Sequence, residues 1–257
     1  MKVIINADDC GRSAIDNQLI GSFMEKGLIT STTVMATGAD LDGVRKLYDM
    51  YKEKISFGVH LNITSGKPQA YSQVLHDNGF YIEKEDGCYW GAVKYRDLRT
   101  KWLSKPIREA LKQELLTQIE KVRDYGIDVS HLDSHQHVHV TLGMINVIPE
   151  VISRSGVHKI RRMFNYIPNG INRFTRQLWG EYFLHKVKGL IMTDLFASYG
   201  YYFQNYSKLG CNVDSTIELM CHPSINTGAF AKENDLILTE NPIAKLENIE
   251  LINYNAL

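Results

Sequence analysis

Short apolar runs alternate with amphipathic stretches along this chain. The first run, Lys2–Ala7 (KVIINA), predicts a buried strand, and Ala14–Lys26 carries apolar side chains at helical spacing up to Gly27. The unit then repeats, because the β-branched segment Thr32–Ala36 precedes the amphipathic stretch Asp40–Lys52. Strands that alternate with helices favour a parallel sheet in which helices connect the strands.

The same alternation continues through the rest of the chain. It predicts a strand at Ile55–Ile63, a regular helix at Ile107–Arg123, a helix at Met144–Arg154, and strands at Lys159–Arg162 and Thr216–Cys221. Six or more such units in 257 residues favour a closed or nearly closed (β/α) barrel over an open sheet. We therefore predict an α/β fold with mostly parallel strands, in a single catalytic domain over residues 1–257.

One long segment, Gly66–Lys105, interrupts this pattern with weak periodicity and many turn residues. It contains the aromatic residues Tyr71, Tyr81, Tyr89, Trp90 and Tyr95. We predict a loop insertion over the active face, since long loops inside a domain are commonly functional and aromatic rings can stack on sugars. The alternative is a surface excursion whose aromatic rings pack only against its own hairpin.

Composition excludes several classes of partner. Lys plus Arg and Asp plus Glu both number 29, so the chain has no basic field of the kind that holds nucleic acid. No apolar run approaches the roughly 18 residues of a membrane span, and the N-terminal run is too short for a signal peptide. The cysteines Cys10, Cys88, Cys211 and Cys221 show no CxxC pairing, which predicts neither a thiolate zinc site nor a disulfide framework. We therefore expect a cytoplasmic protein.

The sequence HLDSHQHVH concentrates four histidines in nine positions. In an extended strand, one face would carry His131, Asp133, His135, His137 and His139. Imidazoles suit Zn, Fe, Co, Ni or Mn, and the aspartate could be a ligand or the acceptor that orients a ligand histidine. The alternative is a polar surface strand, for which such crowding of one titratable residue type has little use.

Polar residues also follow other predicted strands directly. Asp8 and Asp9 follow KVIINA, His60 follows ISFGV, and His222 follows IELMC. In β/α barrels the chemistry lies at the carboxyl ends of strands, so Asp9, His60 and His135 could converge as an open three-ligand metal site. Asp8 would then accept a proton from a nearby water. Taken alone, these residues also have structural explanations. The pair Asp8–Asp9 could cap a helix, and His222, which precedes Pro223, could serve only to end a strand.

Five motifs, in chain order, carry a family resemblance: NADDCGRS, STTVMATG, GVHLNITSGKP, HLDSHQHVH and ELMCHPS. With them, the chain resembles the YdjC family of carbohydrate deacetylases over residues 6 to 224. The resemblance implies an irregular (β/α) barrel of the NodB-like deacetylase type, removal of acetyl groups from N-acetylated sugars such as chito-oligosaccharides, a divalent metal commonly assigned as magnesium, and a homodimer. It also implies that Asp9, His60 and His135 are metal ligands, Asp8 the base, His222 the general acid, and Arg161 the residue that orients the base.

The chain departs from the family pattern at two positions. Cys10 stands where the family usually has phenylalanine, and Gln136 replaces the middle histidine of the commoner HHH. Neither is a proposed ligand. On the metal, resemblance and ligand chemistry differ, because two imidazoles and one carboxylate suit Zn, Co, Mn or Fe better than magnesium.

These residues predict metal-assisted hydrolysis of an amide. Asp8 would take a proton from water, and His222, kept protonated by nearby carboxylates, would give one to the departing sugar amine. The alternatives are another metal-dependent amide or ester hydrolase of the same barrel type, or a catalytically silent sugar-binding homologue. An intact Asp8 and His222 count against the silent homologue, because binding alone needs neither acid nor base.

Overall fold

The structure is a computed structural model that describes residues 1–91, 98–168, 171–209, 214–224 and 229–257. Its strands are β1 (Lys2–Cys10), β2 (Ser31–Val34), β3 (Ser56–Leu61), β4 (Tyr81–Lys84), β5 (Gly87–Trp90), β6 (Leu132–Ser134), β7 (Leu195–Ser198), β8 (Thr216–Cys221) and β9 (Glu250–Leu251). Its α-helices are α1 (Ala14–Glu25), α2 (Leu41–Tyr51), α3 (Gln73–Asp77), α4 (Lys105–Asp124), α5 (Ile148–Ser155), α6 (Ile171–Lys186), α7 (Tyr199–Leu209) and α8 (Ala229–Asp235).

The main sheet is parallel and has the strand order β6-β3-β2-β1-β8-β7, with β9 paired to the start of β1. Beyond β6 the sheet continues through isolated bridges from Leu132 to Ile160 and from Lys159 to Ile191. That side curls back toward β7, because the Asn165 side chain accepts a hydrogen bond from the Phe196 N–H at 2.9 Å. The result is an irregular, incompletely closed (β/α) barrel, which confirms the predicted fold.

Local sequence explains where the helices begin and which face they bury. The Ser13 hydroxyl caps α1 by accepting from the Asp16 N–H at 3.2 Å, and the Asp40 carboxylate caps α2 by accepting from the Gly43 N–H at 3.0 Å. The apolar stripe of α4 is buried against the sheet, as its helical spacing predicts. No helix among the described residues is both long enough and apolar enough to cross a membrane.

Two predicted elements differ from those observed. The helix predicted at Met144–Arg154 begins only at Ile148, because a 3₁₀ turn at Leu142–Met144 precedes it and Pro149 favours the first helical turn. The strand predicted at Lys159–Arg162 is reduced to isolated bridges at Lys159 and Ile160.

The predicted histidine strand is wrong beyond its first third. Strand β6 ends at Ser134, and the chain continues as 3₁₀ turns over His135–Val140. Gln136 and His137 have φ values of 53° and 56°, in the left-handed region that no strand uses. The alternation of side chains between two faces therefore stops at the end of β6, and the five polar residues do not share one face.

The histidines of this segment point to separate places. His131, at the start, stacks on the Tyr254 ring with 3.6 Å between centroids. His139, at the end, folds back so that its Nδ1 lies 2.5 Å from the Ser134 hydroxyl and its Nε2 lies 3.1 Å from the Arg161 carbonyl oxygen. Both are buried side chains that fill the barrel rather than line a site.

The segment predicted as a loop insertion has secondary structure of its own. It leaves the carboxyl end of β3 and contains α3 and the antiparallel hairpin β4–β5. Tyr81 contacts both Tyr71, at 5.5 Å between centroids, and Trp90, at 4.9 Å. These three rings pack within the insertion, as the alternative interpretation had it, and Tyr95 lies outside the described residues.

Strand β3 and the residue that precedes β6 approach each other closely at Gly58. A Cβ added at Gly58 would lie 2.6 Å from the His131 carbonyl oxygen, which the backbone holds in place. We expect Gly58→Ala to lower the free energy of unfolding by about 1–3 kcal/mol through overpacking. Urea unfolding measures this, with Gln113→Ala on the exposed face of α4 as the control, expected within about 0.5 kcal/mol of wild type. Equal midpoints for the two variants would contradict the close approach.

Candidate metal centre and active site

The carboxyl ends of neighbouring strands bring together the polar residues that follow them. Asp8 and Asp9 lie near the end of β1, His60 near the end of β3, His135 directly after β6, and His222 directly after β8. Because these strands are parallel and adjacent in the order β6-β3-β2-β1-β8, their ends meet at one edge of the sheet.

Asp9, His60 and His135 form one cluster. The Asp9 Oδ1 atom lies 3.3 Å from His60 Nε2 and 3.2 Å from His135 Nδ1. The three side chains each offer a ligand atom within 4.8 Å of the others. Asp9 has a φ of 68°, at a register irregularity between Ala7 and Cys10, and this bulge re-aims its carboxylate toward the two imidazoles.

The two oxygens of the buried Asp9 carboxylate differ in their hydrogen bonds. Its Oδ2 atom accepts a hydrogen bond from Arg12 at 2.8 Å, whereas its Oδ1 atom is buried without a hydrogen-bond donor. Burial alone would raise the pKa of Asp9, but His135 and His60 together lower it to about 2. An ionised oxygen that faces two imidazole nitrogens fits a divalent cation.

The Asp133 carboxylate fixes the orientation of the His60 ring. Its Nδ1 atom lies 2.7 Å from Asp133 Oδ1, and the Thr33 hydroxyl donates to Asp133 Oδ2 at 3.0 Å. A carboxylate at Nδ1 keeps the proton on that nitrogen and leaves Nε2 to face Asp9, which is the usual arrangement behind a ligand histidine. Burial alone would lower the pKa of His60. The charge and hydrogen bond of Asp133 outweigh burial and raise the pKa to about 9.

Asp8 is held by Arg161 on the other side of the cluster. The guanidinium donates to both carboxylate oxygens of Asp8, at 2.8 and 2.7 Å, and the Asn6 amide adds a bond to Oδ1 at 2.9 Å. Burial raises the pKa of Asp8, but the Arg161 charge outweighs it and holds the pKa well below its usual range. Asp8 is therefore a fixed, ionised carboxylate.

Arg161 contacts two further carboxylates and is itself fully buried. Its Nη1 atom lies 2.7 Å from Asp133 Oδ2, and its Nε atom donates to Glu218 Oε1 at 2.8 Å. The Tyr254 hydroxyl donates to the other oxygen of Glu218 at 2.5 Å. Neither Glu218 nor Tyr254 was predicted from the sequence. The signal for Glu218 was present, because a carboxylate inside the apolar strand TIELMC must be paired when that strand is buried.

His222 lies beside Asp8, with its Nε2 atom 3.8 Å from Asp8 Oδ2. Its protonation differs from the expectation. Burial lowers the pKa of His222 below its usual value, and the opposing effect of Asp8 and Asp9 does not compensate for it. The imidazole therefore starts neutral rather than protonated.

The two departures from the family pattern lie outside the ligand cluster. Gln136 is exposed in the turn that follows His135. Cys10 is buried, its thiol lies 3.5 Å from Asn17 Oδ1, and burial raises the pKa of the thiol to about 12. The structure thus brings together the six residues for which the family resemblance implies a role: Asp8, Asp9, His60, His135, Arg161 and His222.

The chain is similar in sequence or in fold to several known proteins. A carbohydrate deacetylase of Halalkalibacterium halodurans is 30% identical over 224 residues, which cover 87% of this chain and 85% of that protein. A carbohydrate deacetylase of Clostridium beijerinckii is 27% identical over 270 residues, which cover 99% of both chains. Among solved structures, a protein of Enterococcus faecalis V583, described as a proposed cellobiose-phosphate cleavage protein, superimposes with a TM-score of 0.76 at 20% identity, covering 99% of this chain and 98% of that one.

The family assignment follows from the extent of the match. The structural likeness to the E. faecalis protein shows a shared fold over nearly the full length of both chains. The family description "YdjC-like protein" matches residues 2–248, a range that contains every residue of the site. The protein therefore belongs to the YdjC-like family.

Proposed function

We propose that this protein is a metal-dependent deacetylase of N-acetylated sugars such as chito-oligosaccharides. Its relatives named carbohydrate deacetylases support the class of reaction. One observation supports the metal dependence. The Asp9 Oδ1 atom is buried, receives no hydrogen bond and faces His60 and His135. The ion pair of Asp8 and Arg161 lies directly beside it.

In this proposal Asp9, His60 and His135 hold one divalent cation. When bound, such a cation supplies Lewis acidity, which polarises the acetyl carbonyl and lowers the pKa of water. The donor set of two imidazoles and one carboxylate favours Zn, Co or Mn over the magnesium implied by the family resemblance.

Asp8 is the proposed base. Arg161 keeps its carboxylate ionised and in one orientation, so that it can take a proton from the attacking water. The bidentate pair uses both carboxylate oxygens, and Oδ1 also accepts from Asn6, so Oδ2 is the oxygen that retains a lone pair for the incoming proton. Arg161 is thus a positioning residue that acts through Asp8.

His222 is the proposed acid, and the proton it donates can come from the same water. Since the imidazole starts neutral, the proton that Asp8 accepts would pass to His222 Nε2, 3.8 Å away, and then to the departing amine. A bond forms between the water oxygen and the acetyl carbon, the carbon–nitrogen bond breaks, and the amine nitrogen receives the proton. The cycle returns Asp8 to its ionised form and His222 to its neutral form.

Acetate release from N,N'-diacetylchitobiose and a panel of other N-acetyl sugars tests the function directly. We expect release by metal-stripped protein only after Mn, Co, Zn or Mg is restored. Asp8→Asn should lower turnover by about 10²–10⁴-fold, because it removes the base. Its metal content serves as the control for folding. Metal binding without acetate from any sugar would redirect the search to other amides and esters, and full activity in Asp8→Asn would remove Asp8 from the mechanism.

A second variant separates the proposed acid from the ligands. We expect His222→Ala to lower kcat by about 10²–10⁴-fold while metal content stays at the wild-type level. His158→Ala, at an exposed histidine away from the site, is the matched control and should retain activity. Loss of metal from the His222 variant would instead identify His222 as a ligand.

A third variant tests the support behind His60. We expect Asp133→Asn to weaken metal binding by about 10–100-fold, because a neutral amide accepts the Nδ1 proton of His60 less strongly than a carboxylate does. Competition with a chelator measures the affinity. Asp128→Asn, at an exposed aspartate that accepts from Tyr48 at 3.0 Å, is the matched control. Equal affinities for the two variants would show that Asp133 does not tune the ligand.

A further inference from the structure

The insertion after β3 carries a second cluster of metal-ligating side chains. His76 lies in the last turn of α3, Glu83 on β4 and Cys88 on β5. Each offers one ligand atom, and these nitrogen, oxygen and sulfur atoms all lie within 4.8 Å of one another. The cluster shares no residue with the active site.

The register of the hairpin explains how two of these residues meet. Glu83 pairs directly with Cys88, just as Tyr81 pairs with Trp90. Because side chains alternate along a strand, all four lie on one face of the hairpin. The two aromatic residues are buried, and the same face places a carboxylate and a thiol near His76 of α3.

Burial decreases along this face away from the aromatic pair. Cys88 is half-buried, whereas the Glu83 side chain is 75% exposed. The register nevertheless keeps the Glu83 carboxylate and the Cys88 thiol together on the face that α3 approaches.

His76 completes the set from the neighbouring helix. Its Nε2 atom lies 2.9 Å from Glu83 Oε1, and its Nδ1 atom lies 3.6 Å from Asp77 Oδ1. One thiol, one imidazole and one carboxylate form a ligand set that suits Zn²⁺ or Co²⁺, which accept sulfur, nitrogen and oxygen in a tetrahedral geometry.

We propose that His76, Glu83 and Cys88 form a second divalent-metal site, of the zinc or cobalt type, that ties α3 to the β4–β5 hairpin. Asp77 or a water would complete the coordination. Binding releases the thiol proton of Cys88, and any proton on His76, to solvent. The site needs no CxxC pattern. Its ligands come together through the register of the hairpin and the position of α3, and not through close spacing in the sequence. The site does not depend on the proposed deacetylase activity.

Cobalt distinguishes the two sites, because thiolate ligation gives a charge-transfer absorption that nitrogen and oxygen ligands lack. Among the donor clusters in the described part of the chain, only this one contains a thiol. We expect metal-stripped protein to bind two Co²⁺ per chain and to show the thiolate band. Cys88→Ser and His76→Ala should each bind one Co²⁺ and lose the band.

Variants at the other cluster and at the third ligand separate the two sites. Asp9→Asn, which disrupts the active-site cluster, should keep the band and bind one Co²⁺. Glu83→Gln should weaken the cobalt that gives the band, whereas Glu85→Gln, at an exposed glutamate in the same hairpin, should leave it unchanged. No thiolate band at saturating cobalt, or a band that survives Cys88→Ser, would overturn the proposal.

Discussion

The buried guanidinium of Arg161 is the interaction on which the rest of the site depends. It pairs with Asp8 from β1, with Asp133 from β6 and with Glu218 from β8, all at 2.7–2.8 Å. Burying one such ion without a partner would cost several kcal/mol, and removing one partner of a buried pair commonly costs about 3–5 kcal/mol. The charges are tolerated because each carboxylate has a neutral donor as well, of which the Tyr254 hydroxyl on Glu218 is one. Three separate strands are thereby fixed relative to one cation at the centre of the barrel.

This constraint couples the two halves of the proposed chemistry. Asp133 uses one oxygen for the His60 imidazole and the other for Arg161, and the same arginine holds Asp8. The geometry of the proposed metal ligand His60 and of the proposed base Asp8 therefore depends on the same buried arginine. A shift of Arg161 would move both, so its role is better described as positioning the site than as stabilising the fold.

The sequence predicted the parts of this site that depend on strand ends. Asp8, Asp9 and His60 each terminate or follow an apolar run, and parallel strands place such residues at one edge whatever the details of packing. The role of Arg161 was predicted from the family resemblance and not from periodicity. The segment around it forms only isolated bridges, so it has no regular strand pattern. The prediction that the histidines share one face was wrong because the backbone at Gln136 is left-handed. A run of alternating residues gives no signal for such a turn. The pairing of Glu218 required knowledge of which strands are neighbours, and that is a property of topology rather than of local sequence.

The charge balance of the centre also favours the proposed cation. Asp8, Asp9, Asp133 and Glu218 are buried together, and among them only Arg161 is a fully buried permanent cation. The carboxylates Asp133, Asp8 and Asp9 raise the pKa of His60 to about 9 despite burial that would lower it. A divalent cation at Asp9, His60 and His135 would replace the proton on His60 with greater charge and fixed geometry. The imidazole could then be neutral and act as a ligand, so the same excess of carboxylates that raises its pKa also favours the cation that replaces its proton.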